Sequence, residues 1–148
     1  MLKTTTYLEV QFYDLDPMNI VWHGNYIKYL EQARCEMFNK IGYSYMDMYN
    51  DGVMYPIAKM DFKYIRPARF GDKLKVVCEL ECVEPAINII YTIYNAKTDE
   101  KIFKAKSMQM CIYRDTMESC YEEPVRLKEK ISQYEKSIEN ITCMPNTL

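Results

Sequence analysis

The stretch YDLDPMNIVWHGNY, residues 13–26, gathers Asp14, Asp16 and Pro17 with the chain's single tryptophan and single histidine, Trp22 and His23. An ionised carboxylate can take a proton from water or attack an electrophilic carbonyl itself. Pro17 pushes Asp16 toward extended backbone, which displays its carboxylate at a fixed angle. If a helix begins just after this stretch, its first N–H groups lack intrahelical partners and carry partial positive charge. A developing oxyanion is then favoured beside His23, Gly24 and Asn25. Gly24 lets a ligand come close to the backbone, and His23 could orient water or assist a leaving group. The plain readings stand beside these. Asp14 and Asp16 also suit turn formers bonded to nearby N–H groups, His23 a structural histidine, and Trp22 a packing anchor. Spacing alone favours the turn-forming reading of the aspartates without settling the matter.

The flanking pattern shows which elements must position these residues. Residues 7–13 alternate, with Leu8, Val10 and Phe12 on one face, which predicts a strand. Tyr26, Leu30, Ala33, Met37 and Ile41 then recur at spacings of three and four, an apolar seam on a long helix that Gly42 can end. Ser44 and Asp47 have capping-box spacing for a short second helix closed at Asp51-Gly52. Four alternating runs follow, at 58–66, 73–83, 87–94 and 101–114, separated by turn-like RPARFGD, EPA and NAKTDE. The order β, long α, then four β predicts an antiparallel sheet covering the helix. Pro124 followed by Leu127, Ile131, Tyr134 and Ile138 predicts a C-terminal helix ahead of a polar tail, ENITCMPNTL. The whole is expected to be one α+β domain over residues 1–148, with a core to about 120 and the helix and tail over about 121–148.

The string D-x-D-P-x-x-x-V-x-H-x-N-Y, here Asp14, Asp16, Pro17, Val21, His23, Asn25 and Tyr26, resembles the signature of the 4-hydroxybenzoyl-CoA thioesterase family of hotdog proteins. YLEQAR at 29–34 and FKYIRPARFGDKL at 62–74 are similar to that family's helix and second-strand exit, so the resemblance covers roughly the first three quarters of the chain. It implies a hotdog fold, a long helix wrapped by a five-stranded antiparallel sheet. It implies hydrolysis of an acyl-CoA thioester, with Asp16 as base or nucleophile, Asp14 structural, and the backbone amide at His23, with Gly24 beside it, polarising the thioester carbonyl. Histidine at position 23 points to short- or medium-chain acyl groups, and aromatic ones stay within the family's range. Trp22, Asn25 and Tyr26 fall on the substrate side. Arg69 is the best basic candidate for the CoA phosphates, a turn-bracing arginine being the alternative. Met18 and Asn19 stand where family members commonly carry Ala and Gly, a departure next to Asp16. No metal or organic cofactor is implied.

Composition sets the outer limits. A net charge of −2 without a basic run argues against a nucleic-acid partner. No apolar run reaches the ~20 residues of a membrane span, and the N-terminus alternates instead of forming a signal-peptide core, so a cytoplasmic protein is expected. Cys35, Cys78, Cys82, Cys111, Cys120 and Cys143 form no CxxC pair and are read as reduced thiols, with no metal role. Apolar positions on both faces of the 87–94 run predict a homodimer with joined sheets and active sites at the dimer interface, and the family resemblance implies a further pairing into a homotetramer. Two other functions fit the same residues: a hotdog hydratase or dehydratase on acyl thioesters, and a non-catalytic acyl-binding module.

Overall fold

Three consecutive threonines open the first strand. In the computed structural model, which describes residues 2–121 and 125–142, β1 runs Lys3–Glu9. The expected strand at 7–13 is therefore displaced toward the N-terminus. Thr4 and Thr6 share the inward face with Leu8 and Val10, and the β-branched threonines hold the extended backbone. The Thr6 hydroxyl donates to the Glu36 carboxylate at 2.6 Å, which ties β1 to the helix. Phe12 is not on that face. The chain turns into a single 3-10 turn at Phe12–Asp14, and Phe12 lies exposed, edge-on to Phe70.

The long helix α1 spans Asn25–Lys40 and buries Tyr26, Leu30, Ala33 and Met37, the seam read from spacing. At its end the N–H groups of Gly42 and Tyr43 bond the carbonyls of Asn39 and Phe38, both at 3.0 Å. Gly42 sits at φ +76°, the left-handed position this closure requires. α2, Tyr45–Asn50, starts on a reciprocal capping box between Ser44 and Asp47, and Asp51 ends it.

The remaining strands are β2 (Val53–Met54), β3 (Ile57–Tyr64), β4 (Lys73–Cys82), β5 (Ile87–Asn95), β6 (Lys101–Gln109) and β7 (Ile112–Tyr113). Five of them form one antiparallel sheet in the order β1-β4-β5-β6-β3. β2 and β7 pair separately, so the single run expected over 101–114 breaks after Gln109 into two strands of different sheets. The inner face of the sheet presents Leu74, Val76, Leu80, Ile89, Ile93 and Phe103 to α1, and this interface is the hydrophobic core. Cys78 lies in it, and burial pushes its thiol up to about 12. Cys82 is only half-buried, and its sulfur accepts from the Asn88 side chain at 2.9 Å. All five cysteines among the described residues are free.

The sheet-facing side of α1 encloses a charged side chain. Arg34, on the sheet-facing side of α1, donates to the hydroxyls of Tyr45 (2.6 Å) and Tyr91 (3.3 Å). Tyr91 also bonds Ser107 at 2.7 Å, and Gln109 donates to Tyr45 and to the Tyr55 carbonyl. A buried guanidinium is tolerable only with such partners, which also hold it firmly protonated.

α3, Val125–Thr142, adds Leu127 and Ile131 to the core. It runs further than expected, taking in the first residues of the supposed polar tail. Pro124 and Cys143 lie outside the described residues.

Candidate active site

The chain leaves β1 through the 3-10 turn, and a tight hairpin then presents Asp16. Leu15 pairs with Val21, the Asp16 N–H donates to the Ile20 carbonyl at 2.8 Å, and the Asn19 N–H returns to the Asp16 carbonyl at 3.0 Å. Pro17 is preset for the second position of such a turn. Asn19 takes φ +60°, a left-handed conformation that glycine adopts freely and asparagine tolerates better than most residues. The Met18-Asn19 pair thus fits the turn where Ala-Gly is the commoner filling. One carboxylate oxygen, Asp16 Oδ1, accepts from the Met18 N–H at 2.8 Å, so Asp16 does form the turn. Among the described residues its second oxygen has no hydrogen-bond partner, and the side chain is only half-buried.

Asp14 is arranged otherwise. It is buried, and its Oδ2 accepts from the Tyr29 hydroxyl at 2.8 Å and the Gln11 N–H at 2.9 Å. Its carbonyl accepts from the Trp22 N–H and from the Asn25 side chain, at 2.9 and 2.8 Å. These bonds clamp both ends of the hairpin to the first turns of α1. Burial and the adjoining Asp14 carboxylate hold the Tyr29 phenol well above its ordinary range, so it remains a donor.

A second strip of chain completes the site. The Val21 N–H donates to the Ala68 carbonyl at 2.9 Å, Ile20 pairs with Arg69, and the Ala68 N–H donates to the Tyr26 hydroxyl at 3.1 Å. Burial raises the Tyr26 phenol above its ordinary value, which keeps it neutral. Its ring stacks on Phe103 with centroids 4.8 Å apart. Between this strip and the hairpin lies a cleft of about 350 Å³ lined by Asp16, His23, Tyr26, Tyr64 and Arg66, with Met18, Ile20 and Ile65 among its apolar wall.

Of the site residues expected from sequence, Asp16, His23 and Tyr26 meet in this cleft, and Trp22, Gly24, Asn25 and Arg69 are not among its lining. The Asn25 side chain is buried and committed to Asp14. Arg69 is exposed, and its N–H is bonded to the Asp72 carboxylate at 2.9 Å in the turn that follows. Trp22 is about half exposed and lies across Gly24, where an added Cβ would meet the indole at 2.3 Å. Gly24 is thus needed for the tryptophan's approach. It forms the N-cap of α1, already helical at φ −72° and ψ −22°, and the Asn25 N–H bonds the Trp22 carbonyl at 2.9 Å. Among the described residues the N–H groups of His23 and Gly24 have no hydrogen-bond partner, as expected of a helix start. The lining residues that sequence reasoning passed over are Tyr64 and Arg66. Their signal was present in the FKYIRPAR segment, where the strand's alternation runs out beside the proline.

Residues 10–134 match the family model of the Thioesterase-like superfamily. The chain belongs to that superfamily. The match takes in the hairpin, α1, the cleft wall and part of α3, beyond the first three quarters to which the motifs alone extend. This thioesterase-like chain is 26% identical over 107 residues to the acyl-CoA thioester hydrolase YbgC of Escherichia coli O157:H7, covering 71% of this chain and 78% of that one. It is 24% identical over 105 residues to the 1,4-dihydroxy-2-naphthoyl-CoA hydrolase of Thermosynechococcus vestitus, covering 70% and 71%. The fold superposes on the crystal structure of a DHNA-CoA thioesterase from Staphylococcus aureus with a TM-score of 0.80 and 25% identity, over 98% of both chains. The hotdog expectation therefore holds, and at the level the family supports the chain is a thioester hydrolase. No helix among the described residues is long and apolar enough to cross a membrane.

Proposed function

We propose that this thioester hydrolase acts on acyl-CoA, releasing the CoA thiol and a short- to medium-chain or aromatic carboxylate. The observation that supports this reading is that Asp16 and His23 line one cleft together with Tyr26 of the first turn of α1. With the thioester carbonyl oxygen against the N–H groups of His23 and Gly24, negative charge developing on that oxygen meets fixed donors and the positive end of the helix. The Asp16 carboxylate then removes a proton from an attacking water, and the tetrahedral intermediate expels the CoA thiolate. In the alternative route Asp16 attacks the carbonyl carbon itself, the thiolate leaves, and water opens the resulting mixed anhydride. In the first route the proton on Asp16 passes to the leaving sulfur, directly or through His23, and in the second the protons of the opening water go to the thiolate and to solvent, so either route returns Asp16 to its ionised form. His23 orients the water or supplies the leaving sulfur with a proton. The apolar wall suits an acyl chain, and Arg66, 3.6 Å from Glu100, brings a cation to the cleft in place of Arg69.

The three relatives described above are named for CoA thioesters with different acyl groups, so the acyl preference is a question for assay. Free-thiol release should be followed with a panel of straight-chain and aromatic acyl-CoAs. The expected result is catalytic thiol release from at least one member. A folded protein that releases none, or that only adds water to an enoyl thioester, would overturn the reading.

The assembly we propose is a homodimer, with a further pairing to a tetramer, but its edge differs from the run singled out in the sequence. That run, β5, is the sheet's central strand. The sheet's edges are β1 and β3, and the more apolar one is β3, where Phe62 is 39% exposed and Tyr64 50%, with Ile57 at one end and Ile65 just past the other also exposed. An apolar edge strand next to the cleft is a template for pairing with a second copy. Light scattering at micromolar concentration should give two or four times the chain mass of 17.7 kDa, and a stable monomer would refute the assembly.

A further inference from the structure

The peptide that joins His23 to Gly24 is held from across the fold. The hydroxyl of Tyr64, at the end of β3, donates to the His23 carbonyl oxygen at 2.7 Å, over a separation of 41 residues. Two edge-on contacts aim the Tyr64 ring, with centroids 5.4 Å from Tyr26 and 5.0 Å from Phe103. That carbonyl shares its amide plane with the Gly24 N–H. A hydrogen bond into an amide oxygen draws electron density from the nitrogen, so the N–H on the other side of the plane becomes a better donor. The bond also fixes the tilt of the plane. The Trp22 indole lies against the Gly24 Cα.

We propose that Tyr64 is a positioning residue for the oxyanion site: through the His23 carbonyl it orients and polarises the His23–Gly24 peptide, making the Gly24 N–H a second donor to the thioester oxygen. Tyr64 does not touch the reacting carbonyl in this scheme. The proposal rests on the thioesterase reading above and adds to it the side chain that tunes the second of its two donors.

The test is Tyr64→Phe, which keeps the ring and its edge-on contacts and removes only the hydroxyl. Loss of a whole oxyanion donor typically costs about 10²–10³-fold in turnover. Weakening one donor should cost less, so a fall in kcat of roughly 5- to 30-fold is expected, with KM within about twofold. A purely structural brace could lower kcat too, so a second measurement separates the roles. A ketone analogue of acyl-CoA, with CH2 in place of the thioester sulfur and 13C at the carbonyl, reports polarisation directly. Its bound carbonyl resonance should lie downfield of the free one in the wild type, and closer to the free position in Tyr64→Phe at equal occupancy. An active wild type whose Tyr64→Phe variant keeps both kcat and the bound carbonyl shift overturns this proposal alone. A wild type that releases no thiol from any acyl-CoA overturns it together with the reading beneath it.

Discussion

Asp16→Asn is expected to lower turnover by about 10²-fold or more while leaving the protein folded and able to bind a non-hydrolysable acyl-CoA analogue. The fold should survive because the hairpin asks little of the charge. An asparagine oxygen can still accept from the Met18 N–H, and the backbone bonds from Asp16 to Ile20 and from Asn19 to Asp16 are untouched. Catalysis should fail because an amide is neither a base nor a competent nucleophile. General-base assistance alone is typically worth ~10²–10⁴-fold, and a lost nucleophile more. His23→Ala provides the comparison. It leaves the backbone amide at position 23 in place, so its loss in kcat should be smaller than that of Asp16→Asn. Near-normal turnover in a folded Asp16→Asn protein would return the hairpin to the role of a simple turn, and a deeper loss in His23→Ala would reverse the ranking of the two.

The largest stability effect should come from Tyr26→Ala. Tyr26 is buried, stacks on Phe103, and meets Tyr29 and Tyr64 edge-on. Truncating a buried aromatic typically costs ~3–5 kcal/mol. The Ala68 N–H would also lose its acceptor, at about 1–3 kcal/mol if it stays buried. For a chain of this size each kcal/mol moves Tm by roughly 2–4 °C, so a drop on the order of 10–20 °C is expected. Tyr26→Phe keeps the stack and loses only the acceptor, which should cost about 1–3 kcal/mol. Thermal melts of the two variants test this division. Equal losses would show that the hydroxyl, and not the ring, anchors the cleft wall.

What could be read from the sequence depended on how local the cause was. α1 was found almost to the residue because its seam repeats every turn, and the Ser44–Asp47 cap because both partners lie within one turn. The D-x-D-P turn was legible for the same reason. β1 was misplaced because its inward residues include Thr4 and Thr6, which carry no apolar alternation. Periodicity gave no warning that Arg34 would be enclosed, since its partners Tyr45 and Tyr91 come from elsewhere in the chain. The candidate site divided along the same line. Asp16, His23 and Tyr26 belong to one short segment, whereas Tyr64 and Arg66 reach the cleft only because β3 pairs with β6 at the sheet's edge. Arg69 stands outside the cleft's lining, where its backbone N–H closes a turn with Asp72, a placement that the one-dimensional motif does not show.

The enclosed guanidinium of Arg34 has a consequence for the cleft. Apolar ridges alone would allow a helix to seat on a sheet at several heights, since leucine against isoleucine is much the same after a shift of one turn, about 5.4 Å. Arg34 removes that freedom. Its hydroxyl partners sit at single places, Tyr91 in the middle of β5 and Tyr45 at the start of α2, and a slide in either direction would part the buried guanidinium from both and leave it only Glu31 of its own helix, 3.5 Å away. The helix therefore has one permitted axial setting. Because Arg34 and Gly24 lie on the same rigid rod, that setting also decides how far the amides at its tip stand from Tyr64 on the sheet's edge. A residue with no access to the cleft acts as its depth stop.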